Sequence, residues 1–551
     1  MQRLGDASWV ISASDLAVFQ ACPWRLARIA DEKLGKGITV PDIDDPMMDL
    51  VARLGLEHEA RQLKLLASTM KVVELSYEPV DPNDAAAWRA NIEKASNETL
   101  VALASDAGAL FQATLYEETL PDAPLPIGFQ GFADFIVSTG ESWEIWDSKL
   151  ARRAKDHALI QLAAYYDQLE RRGVPLSTSV RVILGDGTHS VHDVEELIEP
   201  YREQRKAVMA LIEHRVVDPH PLPWGDELFP PCGTKGCPAC SEQILLHDDL
   251  FQIAGLRKTQ RNKILTGGFE TLEQFATASR EEVRRAIPGI GLDTLRGLHL
   301  QASLQVATRN NPEGRPAWEV LSRGMIENLP APSVGDIFFD FEGDPTYQEL
   351  GGDGSALGSL SQGDDSVWFG IEYLFGLWGD NLNPEGPDTS FLPLWAETFD
   401  EEKAAFETFL ALLEKRAEEY PDFHVYHYAP YERTRLKAMA QRYRVESPTL
   451  DALMTTHLVD LYPVVMKGLK VGLPSYGLKA LEALYFDPDT RTGIAGGGES
   501  VVAFSDYQLA CSQGNLDAAR ELKESILHYN RIDCFSTQAL RDWLLTSARE
   551  D

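Results

Sequence analysis

The sequence predicts a multidomain α/β protein, and three observations support this prediction. The chain has 551 residues, more than one hydrophobic core usually holds, so we expect about two to four domains. Strand-like runs such as GFADFIV and SWEIWDSKL alternate with segments whose apolar residues recur at helical spacing. Pro330 and Pro332 mark a linker after a short helical stretch. The predicted domains are residues 1–245, 246–325 and 326–551.

Local signals predict the elements of the first domain. Ser14 is a candidate N-cap for a helix over residues 14–29, whose apolar residues have helical spacing. A second helix is expected over 48–66, and a third over 156–172 should end at Gly173. The runs GFADFIV, SWEIWDSKL and RVILGDG are expected to form strands.

The other two predicted domains differ in pattern. Residues 246–325 are helical, with loop signals in IAGLRKTQ and IPGIGLDT. In residues 326–551, the strand-like runs DIFFDFEG and FGIEYLFGLW flank a stretch rich in Gly, Ser and Asp over 351–365, which predicts a mobile surface loop. Helices and short strands alternate beyond it, which is an α/β pattern.

Charge and hydropathy restrict the class of protein. The formal net charge of −34 argues against broad basic surfaces that coat nucleic acid, because phosphate binding depends on local Lys and Arg. No apolar run approaches the roughly 18 residues of a membrane span, and no secretory leader is evident, so we expect a cytoplasmic protein without a membrane partner. Local basic patches, each equally consistent with a solvated face, contain Arg152, Arg153, Lys155, Arg257, Lys258, Arg261 and Lys263.

Candidate metal ligands lie in two strand-like runs of the first domain. Asp134 lies in GFADFIV, and Asp147 and Lys149 lie in WEIWDSKL. Strand alternation puts Asp147 and Lys149 on one face, where the carboxylate can hold a metal while the ammonium contacts a scissile phosphate or orients water. Gln161 and Tyr165 are four residues apart on the following predicted helix, so they also share a face.

The order of these residues resembles the RecB-like branch of the PD-(D/E)xK nucleases, which includes the CRISPR-associated RecB-like exonucleases and the nuclease of AddB. His58 in RLGLEHEARQL completes the series as a candidate imidazole ligand. The resemblance implies a restriction-endonuclease-type mixed sheet with helices. It also implies that His58, Asp134 and Asp147 are metal ligands and that Lys149 is catalytic. Gln161 and Tyr165 would contact the DNA and stabilise the active site. Asp147 replaces the more usual Glu.

A cytoplasmic protein is not expected to carry a disulfide framework. Four of the six cysteines instead form a candidate metal site. Cys22 lies in ACPWRLAR, and Cys232, Cys237 and Cys240 lie in PPCGTKGCPACS. Some members of the RecB-like branch carry one cysteine before the nuclease core and three after it, which bind a [4Fe–4S] cluster. The resemblance implies such a structural cluster here, although the Cys-x4-Cys-x2-Cys spacing differs from other members. Four thiolates suit structural Zn²⁺ equally well, and unligated thiols are the remaining alternative.

The middle segment contains a candidate phosphate-binding turn. IPGIGLDT resembles the hairpin of a helix–hairpin–helix unit, and IAGLRKTQRNKIL resembles a degenerate first copy. The resemblance implies that Gly289 and Gly291 let backbone amides approach a DNA phosphate without base contacts. An ordinary connection between helices is the alternative interpretation.

A second set of carboxylates lies in the last predicted domain. Asp340 and Glu342 are two residues apart on a predicted strand and share a face. Tyr529 and Asp533 are four residues apart on a predicted helix and also share a face. Such groups are what a two-metal phosphodiesterase requires.

These motifs resemble the DEDD exonucleases of the RNase H-like fold, in the subclass that carries a tyrosine. The resemblance implies that the carboxylates Asp340, Glu342 and Asp533 hold Mg²⁺ or Mn²⁺ and that Tyr529 orients the attacking water. The second motif of the family normally ends in Asp, and the nearest match, HVYHYAPYERTRL, places Glu432 there as a further ligand with a longer arm. A scaffold that binds without cutting is the alternative. Segments resembling the family's middle region contain Asp460 and Lys479.

The order of the parts resembles a bacterial family of RecB-like nucleases whose domains are sometimes fused to a superfamily 1 helicase. The resemblance covers nearly the whole chain. It implies a metal-dependent DNA exonuclease acting on single strands or ends in DNA repair. A separately encoded helicase is an implied partner, since the sequence lacks a Gly-x4-Gly-Lys-Ser/Thr loop. The alternatives are an RNA 3′→5′ exonuclease that uses the C-terminal site, and a non-catalytic nucleic-acid adaptor.

Overall fold

The chain forms two compact units, one over residues 1–247 and one over 248–349 and 369–550. The structure is a computed structural model and describes residues 1–42, 45–349, 369–487 and 490–550, the last four by backbone alone. The loop predicted over 351–365 lies outside the described residues. Of the predicted helical segment 246–325, residues 246 and 247 belong to the first unit and residues 248–325 belong to the second.

The described part of unit 1 is a mixed eight-stranded sheet with helices. Its strands are β1 (Gln2–Arg3), β2 (Trp9–Ile11), β3 (Val72–Glu74), β4 (Ala109–Glu117), β5 (Ile127–Ser138), β6 (Trp143–Ser148), β7 (Ser179–Ile183) and β8 (His189–Asp193). Its helices are α1 (Ala13–Ala21), α2 (Pro23–Lys33), α3 (Pro46–Thr69), α4 (Ala85–Leu103), α5 (Asp156–Arg171), α6 (Val194–Val217) and α7 (Pro238–Leu246). Strand β5 organises the sheet, because it pairs with β2 in parallel and with β4 and β6 antiparallel.

The helix predicted over 14–29 is two helices, because Pro23 interrupts it. A proline has no amide hydrogen and disfavours helical geometry in the residue before it. Cys22 accordingly has an extended backbone with φ −157°, ends α1 and caps α2. The N-cap of α1 is Ser12 rather than Ser14. The other two predicted helices are confirmed as α3 and α5.

Unit 2 begins with helices α8–α11 and continues through β9 and α12 into a second α/β region. The first helices are α8 (Lys258–Thr266), α9 (Leu272–Thr277), α10 (Arg280–Ala286), α11 (Leu292–Arg309) and α12 (Arg323–Glu327). The strands are β9 (Trp318–Val320), β10 (Ile337–Asp344), β11 (Ile371–Trp378), β12 (Phe391–Trp395), β13 (Val425–His427), β14 (Leu458–Asp460) and β15 (Leu469–Val471). The later helices are α13 (Phe399–Glu419), α14 (Tyr431–Tyr443), α15 (Pro448–Ala452), α16 (Leu461–Gly468), α17 (Leu478–Leu481), α18 (Gly497–Ser512) and α19 (Leu516–Glu550). Short 3₁₀ turns are Leu250–Gln252 and Glu482–Leu484, and Leu453–His457 is a π turn.

Strand β10 is central in the five-stranded sheet of unit 2, whose order is β12-β11-β10-β13-β14. The first three strands in the chain pair antiparallel, and β13 and β14 run parallel to β10. Phe339 and Phe341 of β10 pack on one face, where Phe339 stacks on Phe409 of α13 at 4.8 Å. Strand alternation therefore turns Asp340 and Glu342 to the opposite face, toward α19.

Helices α8–α11 enclose a small core of their own. Apolar residues from both halves of this segment form it, including Ile253, Ile264, Ile287 and Leu295. The predicted helical character of the segment is therefore confirmed. Among the helices of the described residues, none combines the length and apolarity needed to cross a bilayer.

Candidate active sites and metal centres

The first candidate site lies where strands β5 and β6 run side by side. Asp134 Oδ2 accepts a hydrogen bond from the Ser148 amide at 2.8 Å. Asp147 is only 1% exposed, and Lys149 Nζ donates to its Oδ1 at 2.9 Å. Gln161 Nε2, on α5, donates to the same oxygen at 3.0 Å. The structure thus brings the predicted Asp147, Lys149 and Gln161 into direct contact.

The electrostatics of this site favour a bound cation. Burial and the charge of Asp134 together raise the pKa of Asp147 to about 8, although Lys149 opposes the rise. Burial lowers the pKa of the Lys149 ammonium, but the two carboxylates outweigh burial and leave that pKa raised. Two carboxylates in a poorly solvated site repel each other, and a divalent cation would relieve that repulsion. The oxygen donors fit Mg²⁺ or Mn²⁺.

Tyr165 lies behind the carboxylates and is packed against the sheet. A Cβ atom added at Gly131 of β5 would overlap the Tyr165 ring, so glycine is needed for this contact. Burial, followed by the charges of Asp147 and Asp134, raises the pKa of the phenol. Tyr165 therefore keeps its phenolic proton at neutral pH and packs against one side of the site.

His58 is buried on α3, with the backbone of Ile183 and Leu184 beside its ring. Burial lowers its pKa to about 4, so the imidazole is neutral at pH 7, as a metal ligand must be. Its Nε2 atom has no hydrogen-bond partner among the described residues. Even so, within the described residues the ligand atoms of His58, Asp134 and Asp147 do not all lie within 4.8 Å of one another. Ligation by His58 stays a prediction.

Glu59, the next residue on α3, is a group that the sequence interpretation missed. Burial raises its pKa to about 7, Asp134 adds to the rise, and Gln112 and Lys149 lower it. Gln112 donates a hydrogen bond to the Glu59 carboxylate from a backbone with φ +55°, a conformation uncommon for residues other than glycine. The carboxylate of Glu59 therefore interacts electrostatically with Asp134 and Lys149. Neither spacing nor motif distinguishes it in the sequence.

The four predicted cysteines form one cluster in unit 1. Their Sγ atoms lie within 4.8 Å of one another, with Cys22 3.6 Å and Cys232 3.7 Å from Cys240. Cys237 caps α7 beside them, and all four thiols are free. Around one tetrahedral Zn²⁺, Zn–S bonds of about 2.3 Å place sulfurs about 3.8 Å apart. In a [4Fe–4S] cluster each thiolate binds a different iron, which requires wider spacing. The observed spacing fits a single ion.

The second candidate site lies between β10 and α19. Oxygens of Asp340, Glu342 and Asp533 lie within 4.8 Å of one another, so the structure brings these three predicted residues together. Burial, followed by the charge of Asp533, raises the pKa of Asp340 well above its usual range and that of Glu342 to about 8. Three mutually repelling carboxylates with oxygen donors fit Mg²⁺ or Mn²⁺.

Asn530 holds this cluster in place, although the sequence interpretation did not single it out. Its Nδ2 donates to Asp340 Oδ2 at 2.9 Å from a fully buried position. Gly376 pairs with Asp340 across β10 and β11, and a Cβ there would overlap the Asn530 amide. The glycine therefore makes room for the amide that orients the carboxylate.

Tyr529 and Asp533 each contact a basic side chain in the second site. Lys479 Nζ donates to Tyr529 Oη at 2.7 Å and lies 4.4 Å from the ring centre. Arg491 forms ion pairs with both Asp533 and Glu482. Burial, followed by the charge of Asp533, raises the pKa of Tyr529, so its phenol keeps its proton at neutral pH.

Two family models match the chain, one over the first site and one over the part of the second site that includes Tyr529 and Asp533 but not Asp340 and Glu342. A PD-(D/E)XK nuclease superfamily model matches residues 10–243, and an RNase_H superfamily model matches residues 369–545. The chain carries two nuclease-superfamily domains. These matches confirm the resemblance to the PD-(D/E)xK and RNase H-like superfamilies and the predicted α/β fold class, and they indicate a metal-dependent nuclease. A search among curated proteins found no match.

In the RNase H-like domain, the predicted ligand Glu432 stands apart from the other three carboxylates. It is buried in the first turn of α14, where its Oε2 lies 3.0 Å from His427 Nδ1. Within the described residues, no oxygen of Glu432 joins the group within 4.8 Å, although its charge helps to raise the pKa of Asp340. Metal ligation by Glu432 stays a prediction. Asp460 caps α16 and accepts the Tyr462 amide at 2.9 Å, which gives it a structural role.

The predicted hairpin lies between α10 and α11, where Gly291 is the N-cap of α11. Lys263 of α8 donates to the Gly289 carbonyl, so the two halves of the segment are joined at this turn. Phosphate binding by Gly289 and Gly291 stays a prediction. Arg261, which the sequence placed in a basic patch, is instead buried and pairs with Asp249 at 2.8 Å. It is not part of an exposed basic surface.

Proposed function

We propose that the chain is a metal-dependent exonuclease that hydrolyses single-stranded DNA or DNA ends during DNA repair. The observation that carries the proposal is the close group of the carboxylates Asp340, Glu342 and Asp533, beside a tyrosine that keeps its proton at neutral pH. A second acidic site with its own lysine, in the PD-(D/E)XK domain, supports it. The helicase partner and the cytoplasmic location rest on sequence resemblance and composition alone.

In the PD-(D/E)XK domain, Asp134 and Asp147 are proposed to hold Mg²⁺ or Mn²⁺. A bound divalent cation supplies Lewis-acid chemistry, which activates water and stabilises charge on the phosphate. Lys149 is proposed to contact the scissile phosphate, because its ammonium is fixed 2.9 Å from Asp147 and stays charged. Gln161 orients Asp147, and Tyr165 supports the pocket from behind.

In the RNase H-like domain, Asp340, Glu342 and Asp533 are proposed to hold the same kind of cation. Tyr529 keeps its proton at neutral pH, so we propose that it orients a water by hydrogen bonding rather than by removing a proton. Lys479 fixes the phenol through its 2.7 Å contact. Asn530 fixes Asp340, and the pair defines one wall of the site.

The substrate is tested with end-labelled single-stranded DNA, duplex DNA and RNA, each with Mn²⁺ or Mg²⁺. We expect stepwise shortening of single-stranded DNA from one end and little cutting of RNA. RNA shortening that survives Lys149→Ala but not Asp340→Asn would replace the DNA assignment with an RNA exonuclease. Metal-independent binding with no cleavage of any substrate would establish the adaptor instead.

We propose that the four cysteines hold one structural Zn²⁺, because their sulfur spacing fits a single tetrahedral ion. Anaerobically purified protein should be colourless and contain one zinc per chain by elemental analysis. Cys240→Ser should lose the metal and lower the melting temperature, because the cluster joins Cys22 near the start of unit 1 to α7 at its end. A matched control is Cys511→Ser, since Cys511 lies outside the cluster. A brown protein with four irons per chain would overturn the zinc assignment.

Metal binding to the RNase H-like domain should be coupled to proton release. The pKa of Glu342 is raised to about 8 in the metal-free protein, so below pH 8 a cation must displace that proton. The apparent affinity for Mn²⁺ should therefore rise with pH from 6 to 8, by up to about tenfold per unit for one proton released. Calorimetry in an Asp134→Asn background isolates this domain. Affinity for Mn²⁺ that is independent of pH would contradict the account.

A further inference from the structure

A cavity of about 850 Å³ adjoins the RNase H-like site within unit 2. This volume lies within the roughly 300–1,000 Å³ typical of small-molecule sites. Two cations in its wall reach the candidate catalytic groups: Lys479 contacts Tyr529 at 2.7 Å, and Arg491 pairs with Asp533. Through these two cations the wall of the cavity contacts Tyr529 and Asp533 of the candidate site.

The cavity also has aromatic walls. Trp318 of β9 and Trp543 of α19 lie edge to face at 5.2 Å, and both rings are half-buried. Tyr485 lines another part of the wall. Half-buried rings beside cations are the groups that bind unpaired bases by stacking, and such stacking tolerates every base.

One cation in the wall is available for a phosphate. Arg315 lies on the connection between α11 and β9, its side chain is exposed, and it forms no ion pair with any other described residue. Arg491, in contrast, is already engaged by Glu482 and Asp533. The acidic groups of the wall are Glu313, Glu482 and Asp487, and Arg491 pairs with Glu482.

We propose that this cavity binds the terminal nucleotide of a single strand, with its base against Trp318 and Trp543 and a phosphate on Arg315. The proposal rests on the proposed nuclease function and names the end of the substrate that the RNase H-like site receives. It also implies that the released nucleoside monophosphate competes with the strand. A nucleotide held here lies beside Lys479 and Arg491, which lead to the catalytic carboxylates.

Equilibrium dialysis with radiolabelled dAMP and AMP in EDTA tests the cavity without relying on cleavage. We expect saturable binding to the wild type and to Asp340→Asn, and about tenfold weaker binding to Arg315→Ala, the loss expected for one charge-assisted contact. Trp318→Leu should also weaken binding, while Arg315→Lys should restore part of it. The matched control is Arg520→Ala, because Arg520 is an exposed arginine of α19 outside the cavity.

The outcomes separate the cavity from the nuclease function. Binding that depends on Arg315, in a protein that cleaves nothing, would retain the cavity site and overturn the proposed function. Cleavage abolished by Asp340→Asn, with no dAMP binding or with equal binding by Arg315→Ala, would overturn the cavity site alone. In an active enzyme, dAMP should also raise the apparent KM for single-stranded DNA, and Arg315→Ala should weaken that inhibition.

Discussion

Replacing Lys149 with alanine in an Asp340→Asn background should reduce the remaining cleavage of DNA by about 10²–10⁴-fold. The ammonium is fixed on Asp147 and is the proposed contact to the scissile phosphate, so no neighbouring group replaces it. The fold should survive, because Asp147 can take up a proton when its partner is lost: burial raises its pKa to about 8. Rates are measured on end-labelled single-stranded DNA with Mn²⁺.

The matched control for Lys149 is Lys94→Ala. Lys94 is an exposed lysine of α4 in the same domain and pairs only weakly with Glu98 at 3.8 Å. Its replacement should change neither the rate nor the melting temperature. Equal rates for Lys149→Ala and Lys94→Ala would show that the PD-(D/E)XK site does not cut under these conditions.

Replacing Asp340 with asparagine in a Lys149→Ala background should abolish the cleavage contributed by the RNase H-like domain. A lost metal ligand removes several kcal/mol of transition-state stabilisation, which corresponds to about 10³-fold in rate. The same change should raise the melting temperature of the metal-free protein. Oxygens of Asp340, Glu342 and Asp533 lie within 4.8 Å of one another, and a neutral amide at position 340 relieves their repulsion.

Asp506→Asn is the control for Asp340, since Asp506 is an exposed carboxylate inside α18, away from the first turn of that helix. It should leave the rate and the metal-free melting temperature unchanged. A lower metal-free melting temperature for Asp340→Asn would contradict the repulsion argument. An unchanged rate would remove the two-metal assignment from this domain.

Much of both sites follows from periodicity alone. Strand alternation places Asp147 with Lys149 and Asp340 with Glu342, and helical spacing places Tyr529 with Asp533. These are short-range relations that backbone geometry fixes. The cysteine cluster required the family resemblance, because Cys22 and Cys240 are far apart in the chain yet lie 3.6 Å apart in the fold.

Other groups depend on tertiary packing that no local pattern encodes. Glu59 reaches the field of Asp134 only because α3 crosses the sheet at that point, and Asn530 acts only because Gly376 makes room for it. Glu432 is a different case: its motif predicts a metal ligand, its carboxylate lies beside His427, and its ligation stays a prediction. The break at Pro23 was missed because helical spacing continues across it.

The central claim is that one chain contains two metal-dependent nuclease sites. The most direct test compares the wild type, Lys149→Ala, Asp340→Asn and the double variant on end-labelled single-stranded DNA with Mn²⁺. We predict partial loss in each single variant and no cleavage by the double variant. Cleavage by the double variant at the wild-type rate would contradict the account, because the chemistry would then lie outside both sites.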